Sequence, residues 1–367
     1  MRIVHTEASC GWGGQEIRIL SEAAGMLDRG HDVRLLCSPR APIFDAAKRY
    51  GITVHSLPID RKSLTGVMAI RGWLLENKPD VINTHSSTDS WLSAFAAKTL
   101  SSAIPIVRTR HISAAVPKNL MTRWLYCSAT DHIVSTGESL RQQLIRENGF
   151  PANRITSVPT GIDSDRYRPV ADKRSTRQKL GLPEKAILIG IVATLRSWKG
   201  HDFLLDALAC LPVGSATLVV VGDGPRRAAI EKTISQHCLD SSVILVGNQT
   251  EVTKWLQALD IFVLPSYANE GVPQALLQAM LTGLPCITTS IGSIGEAAID
   301  GETAIIVPER NARAIADALS RLIAQPELGQ RLGANGRKHC LEKFTVKGMV
   351  DTMERVFSNV ITQCQSA

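Results

Sequence analysis

The residues best suited to chemistry are Glu270-Gly271-Val272-Pro273. They follow an apolar run, Asp260-Ile261-Phe262-Val263-Leu264-Pro265-Ser266, that reads as a buried parallel strand. They precede an apolar helical stretch from Gln274 to Thr282. One carboxylate is thus expected beside a glycine at a helix N-terminus. Pro273 suits the first helical turn, where its missing N–H does no harm. The unpaired N–H groups and the dipole of such a helix favour phosphate and other anions. Gln278 stands where a second acid, eight positions beyond Glu270, would be sought.

Other candidates also fall where strands give way to helices. The loop Cys10-Gly11-Trp12-Gly13-Gly14-Gln15-Glu16 joins the first strand to the first helix. Gly13 and Gly14 would let backbone approach a ligand closely, and a plain tight turn is the alternative. The glycines lack Gly-x-Gly-x-x-Gly spacing, and the second strand ends in Cys37-Ser38-Pro39 without an acid. A dinucleotide-dependent dehydrogenase is therefore set aside. Arg196, Lys199 and Gly200 follow a later strand, and a guanidinium fork with an ammonium suits a diphosphate. Gly222-Asp223-Gly224-Pro225 reads either as a turn or as ligand-facing backbone. Gly247-Asn248-Gln249-Thr250 reads either as a capped turn or as a contact to a base. His85 and His111 each follow a strand, with Arg108 and Arg110 beside the second. Asp163-Ser164-Asp165 has the form of a metal-binding Asp-x-Asp but lies in a polar linker, so it reads as hinge chemistry. No metal is expected.

These positions need strands and helices in alternation. Short β-branched runs recur at Arg2–Thr6, Asp32–Cys37, Thr53–Leu57, Asp80–Thr84, Ile104–Thr109, His132–Ser135 and Ile155–Val158, and again at Ala186–Ala193, Thr217–Val221, Val243–Val246, Ile261–Leu264, Cys286–Thr289 and Ala304–Val307, with helical stretches between most of them. Such alternation implies parallel sheets covered on both faces, here as two doubly wound α/β domains. The division is expected at residue 165, after Pro159-Thr160-Gly161-Ile162-Asp163, giving domains 1–165 and 166–345. Apolar positions at Val346, Met349, Val350, Met353, Val356, Phe357, Val360 and Ile361 have helical spacing, so residues 346–367 are expected to end the chain as an amphipathic helix.

A chain of 367 residues, 44% hydrophobic and 20% charged, suits a globular protein of two domains. Its eight scattered cysteines show no Cys-x-x-Cys, which fits reduced thiols in a cytoplasm. No signal peptide is read at the start, and no apolar run approaches the ~20 residues of a membrane span. The net charge of +7 suits anionic partners. The low aromatic content, 5%, and the absence of aromatic–basic interleaving weigh against nucleic acid.

Taken in order, these features resemble the retaining nucleotide-sugar glycosyltransferases of family 4. The resemblance rests on the Gly13-Gly14 loop, Arg108-Thr109-Arg110-His111, Pro159–Asp163, Lys199-Gly200, Gly222-Asp223-Gly224-Pro225, and Leu264-Pro265-Ser266 leading to Glu270-Gly271. It implies the GT-B fold, two Rossmann-like domains facing a cleft that holds the donor diphosphate, with the C-terminal helix crossing back to the first domain. It implies that Gly13 and Gly14 lend backbone to the phosphates and that Lys199 neutralises them, with Arg196 expected to take over from the Arg that the family commonly carries at position 194. Gly222, Asn248, Gly271, Val272, Gln274 and Gln278 would complete donor binding. His111 and Glu270 would be the catalytic residues at the donor sugar, and His85 would contact the acceptor. Two positions depart from the family: Thr194 stands where an Arg is common, and Gln278 replaces the second Glu of a Glu-x7-Glu pattern.

The expected reaction is metal-free, retaining transfer of a sugar from a nucleoside diphosphate to an acceptor hydroxyl, with no cofactor beyond the co-substrate. The acceptor is expected to be a cell-envelope polysaccharide, lipid-linked glycan or lipopolysaccharide-type glycan, and the protein cytoplasmic at the inner face of an anionic membrane. A nucleotide-sugar epimerase and a non-catalytic nucleotide-sugar-binding subunit are the alternatives.

Overall fold

The computed structural model describes residues 1–112, 114–268 and 270–366. Ser113, Asn269 and Ala367, the last within the segment expected as the C-terminal helix, lie outside the described residues. The chain forms two compact units, residues 1–161 with 346–367, and residues 162–345. The first thus ends at Gly161, ahead of the expected division after residue 165. Ile162 belongs to the second unit because its N–H donates to the Phe344 carbonyl at 2.8 Å and it bridges Thr345.

Unit 1 alternates strands and helices. It begins with β1 (Arg2–Glu7), α1 (Gly14–Leu27), β2 (Asp32–Cys37), α2 (Pro42–Arg49), β3 (Thr53–Ser56) and α3 (Leu64–Asn77). It continues with β4 (Val81–Thr84), α4 (Ser87–Lys98), β5 (Ile106–Arg110), α5 (Leu120–Cys127), β6 (His132–Ser135), α6 (Glu138–Asn148) and β7 (Ile155–Ser157). The sheet is parallel, in the order β3-β2-β1-β4-β5-β6-β7.

Unit 2 follows the same plan. It runs α7 (Lys173–Lys179), β8 (Leu188–Val192), α8 (His201–Ala209), β9 (Thr217–Val221), α9 (Arg227–Gln236), β10 (Val243–Gly247), α10 (Thr253–Ala258) and β11 (Ile261–Leu264). Then come α11 (Gln274–Leu281), β12 (Cys286–Thr288), β13 (Ile305–Ile306), α12 (Ala312–Ala324) and α13 (Pro326–Lys343). Its sheet is also parallel, in the order β10-β9-β8-β11-β12-β13. The last helix, α14 (Val346–Gln365), belongs to unit 1.

Successive residues of a strand point to opposite faces, and unit 1 accordingly has two cores. Ile3, Leu35, Val81, Val107 and Val134 pack on one side. Their neighbours Val4, Leu36, Ile82, Ile106 and Ile133 pack on the other. The apolar stripe of α14 (Met349, Val350, Met353, Val356, Phe357 and Val360) completes the first core. Arg29 pairs with Asp351 and, at 2.5 Å, with Glu354, which His31 also meets at 2.6 Å. The turn between α1 and β2 and the last helix are thereby joined across nearly the whole length of sequence.

The approach of α14 to α1 leaves no room for a side chain at Gly25. A Cβ there would lie 2.5 Å from Cγ2 of Val350, a β-branched neighbour with little freedom to move. Gly25→Val is expected to cost about 1–3 kcal/mol by overpacking, read as a lower midpoint in urea denaturation, and adding Val350→Ala should recover part of the loss. An unchanged midpoint would show that α14 does not pack here.

Candidate functional site

In an open parallel sheet, ligands gather at the carboxyl ends of the strands where the winding direction reverses. In unit 2 that point lies between β8 and β11. The loop after β8 carries Lys199 and the loop after β11 carries Glu270. Lys199 Nζ donates to Glu270 Oε1 at 2.6 Å, across 71 residues of sequence. Glu270 is 5% exposed, so its charge is almost removed from water and Lys199 supplies the counter-charge.

The two loops are clasped by backbone. Tyr267 N–H donates to the Trp198 carbonyl at 2.9 Å. Gly200 has φ +78°, and a Cβ on it would stand 2.2 Å from the Pro265 carbonyl oxygen. Gly292, with φ +61°, lies against the Glu270 carbonyl so closely that a Cβ would come within 2.0 Å of it. Glycine is thus required on both sides of the Glu270 loop. His201 is buried next to Lys199, and burial followed by that cation lowers its pKa to about 4, so it stays neutral.

In unit 1 the winding reverses between β1 and β4. Three imidazoles line up there. His5 Nδ1 lies 2.9 Å from His85 Nε2, and His85 Nδ1 lies 3.0 Å from His111 Nε2. Burial lowers His5 to about 3. Burial, then neighbouring histidines and Arg18, holds His85 well below the ordinary value, and burial, then Arg18 and Arg110, does the same to His111. All three are neutral near pH 7. Asp89 fixes the backbone at His85 by accepting its N–H at 2.8 Å, and takes the Thr6 hydroxyl at 2.7 Å.

Beside them Glu7 is fully buried, and burial, then Asp89, raises it to about 8. It accepts the Ser9 N–H at 2.6 Å and the Gln15 amide, and so ties down the glycine-containing loop. Gly13 caps α1 in an extended conformation, its carbonyl accepting from Ile17 at 3.2 Å, and Gly14 opens the helix.

Several sequence expectations change. His85 is not free to meet an acceptor: it is 5% exposed and each ring nitrogen faces another histidine. The Gly222 N–H is donated to the Gly247 carbonyl at 2.8 Å, so it cannot face a phosphate. Pro273 is the N-cap of α11, extended with ψ 126°, one residue before the helix proper. Val272 joins the hydrophobic core, leaving only its backbone for a ligand. Arg108 stacks over Tyr126 at 4.3 Å, and Arg110 donates to the Tyr126 hydroxyl at 3.3 Å.

The remaining candidates are placed as follows. Arg196 and Asn248 are exposed, as is Thr194. Gly271 and Gln274 are half-buried at the start of α11, and Gln278 is buried one turn further along. Asp163 is a turn residue, its carboxylate accepting N–H groups of Asp165 at 2.9 Å and Arg166 at 3.0 Å. Sequence reasoning missed His5, Glu7 and Asp89. Their only signal was position, at the carboxyl end of the first strand and in the first turn after the fourth.

Residues 12–166 match the family described as Glycosyltransferase Family 4, and residues 172–339 match Glycosyl transferases group 1. A D-inositol 3-phosphate glycosyltransferase of Streptomyces bingchenggensis is 27% identical over 82% of this chain and 71% of its own. The lipopolysaccharide core biosynthesis mannosyltransferase LpsB of Rhizobium meliloti is 27% identical over 56% of this chain and 61% of its own. Among solved structures, Anabaena Alr3699/HepE in complex with UDP aligns with a TM-score of 0.86 at 19% identity, covering 98% of this chain and 100% of that one. That likeness shows a GT-B fold. With its first half in Family 4 and its second in group 1, the chain belongs to the glycosyltransferases.

Proposed function

We propose that the protein transfers a sugar from a nucleoside-diphosphate sugar to an acceptor hydroxyl, with retention at the anomeric carbon and without a metal or other cofactor. The observation that carries this reading is the Lys199–Glu270 pair at the switch point of unit 2. The carboxylate can accept hydrogen bonds from sugar hydroxyls, and the ammonium can meet a departing diphosphate. The first turn of α11, with Gly271 before it, adds partial positive charge. Preorganised cations and amides of this kind stabilise charge as it develops. The Anabaena protein has been solved in complex with UDP-glucose, which supports the donor class.

The carbon–oxygen bond to the diphosphate breaks and a bond to the acceptor oxygen forms on the same face. The acceptor proton passes to the departing phosphate oxygen. A double displacement would need a second carboxylate about 5 Å from the first, and the Glu-x7-Glu position offers the amide of Gln278. Gln278 accepts from the nucleotide ribose, and His111 acts at the donor sugar.

The relative named for lipopolysaccharide core biosynthesis supports a cell-envelope glycan as acceptor. Among the described residues no helix is long and apolar enough to cross a membrane. Peripheral binding is the alternative we favour. Leu120 is 85% exposed at the start of α5, with Met121 and Ile112 also exposed, and Lys118 and Arg123 flank them. Apolar side chains beside cations suit an anionic lipid surface.

Incubation with a panel of UDP-, GDP- and ADP-sugars and a glycan acceptor should release nucleotide, and Glu270→Ala should slow release on the order of 10²-fold or more. An altered sugar still on its nucleotide would instead indicate an epimerase, and near-full activity of Glu270→Ala would overturn the assignment. Gln278→Ala is expected to weaken nucleotide binding roughly tenfold, the worth of one uncharged hydrogen bond, measured by calorimetry. Vesicles containing phosphatidylglycerol should carry the protein upward in flotation at low salt, and Leu120→Asp with Met121→Asp should abolish this. Equal flotation of wild type and variant would remove α5 from the membrane reading.

A further inference from the structure

The line of three imidazoles in unit 1 has a property that none of its members has alone. A neutral imidazole carries one N–H and one lone pair. Each of the two contacts, His5 Nδ1 to His85 Nε2 and His85 Nδ1 to His111 Nε2, needs one of each. Only two arrangements satisfy both contacts: all three rings protonated on Nδ1, or all three on Nε2. The tautomer of His111 is therefore tied to that of His5, whose ring is reached only through His85.

The far end of the line decides between them. His5 is fully buried, and its Nε2 has no hydrogen-bond partner among the described residues. With all three rings protonated on Nε2, that atom would be an orphaned N–H. With all three protonated on Nδ1 it is an orphaned lone pair. Buried N–H groups without a partner are the rarer case in proteins. The Phe357 ring beside His5, 6.5 Å away between centroids, offers no polar atom.

We infer that His5 and His85 are positioning residues that hold His111 in its Nδ1–H form, so that the ring nitrogen outside the line is a hydrogen-bond donor. The inference rests on the reading that His111 acts at the donor sugar, and it assigns that contact: His111 donates to a sugar oxygen. No proton leaves through His5, because its Nε2 has no partner among the described residues to receive one. The lowered pKa values fit this role, since a charged His85 would donate to both neighbours and untie the tautomer of His111 from that of His5. The cations acting on the line, Arg18 on His85 and His111 and Arg110 on His111, also disfavour a charged ring.

The test is proton–nitrogen NMR of the whole protein labelled with 15N-histidine, which reads each tautomer without substrate. The nine histidines are assigned by replacing them singly. The expected result is Nδ1–H at His5, His85 and His111, with His5→Phe releasing His111 to a mixture. His5→Asn keeps a polar group near the Nδ1 position and should restore the single form. All three rings on Nε2 would overturn the donor assignment. Unmatched tautomers, or a His111 signal untouched by His5→Phe in a folded protein, would overturn the line itself. Turnover supplies the second arm: His5→Phe should lower kcat about tenfold with less change in KM, and His5→Asn should recover it. Matched tautomers with His111→Ala fully active would leave the line standing and refute the reading of His111 as catalytic.

Discussion

The Lys199–Glu270 ion pair is the interaction on which the proposed donor site of the second unit depends. A carboxylate 5% exposed is costly to hold ionised without a partner. Lys199 meets that need at 2.6 Å while keeping part of its own side chain in water. A pair so placed is not chiefly a source of stability, because desolvation consumes much of the attraction. Its consequence is geometric: one cation and one anion are fixed between adjacent strands, where polar and anionic parts of a single ligand could each find an opposite. The clasp of Tyr267 on Trp198, and the glycines at 200 and 292, are what the surrounding chain contributes to that placement.

Unit 1 treats its switch point differently. There the line itself is neutral, three imidazoles lowered by burial, with Glu7 raised to about 8 beside it, while the buried cation Arg18 pairs with Glu22. Neutral groups can be packed without counter-ions, but each must still find a hydrogen-bond partner. The carboxylate of Asp89 is the anchor, accepting from Thr6, His85 and Ser86. The same winding rule thus places an ion pair at one sheet's switch point and a line of neutral imidazoles at the other.

Much of this fold is legible locally. β2, β6, β9 and β11 coincide with the apolar β-branched runs read from sequence, because a strand buried on both faces is spelled by its own residues. The differences have local causes as well. β5 begins at Ile106 and not at Ile104, since Pro105 has no N–H to give the ladder. The site was legible in part. Glu270 and Lys199 stood out as charged residues at strand ends, but their pairing depends on β8 and β11 being neighbours. His5 and His85 are 80 residues apart and become partners only through the order β1-β4-β5. His5 lies in β1 two residues before Glu7, and nothing next to it in sequence names the partner that β4 brings.

Gln278 shows how the ligand-free protein constrains what a site can contain. The residue is 7% exposed on α11, a helix whose neighbouring positions Leu276, Leu277, Ala279, Met280 and Leu281 are core. An ionised glutamate there would need its own counter-charge, and Lys199 is already held by Glu270. An amide removes that demand, because burying a neutral polar group costs far less than burying an unpaired charge. On the proposed reading of Gln278 as a ribose contact, what it forgoes is a charge-assisted hydrogen bond, about twice as strong as a neutral one. The substitution leaves Glu270 as the carboxylate of this motif around which a sugar can be oriented.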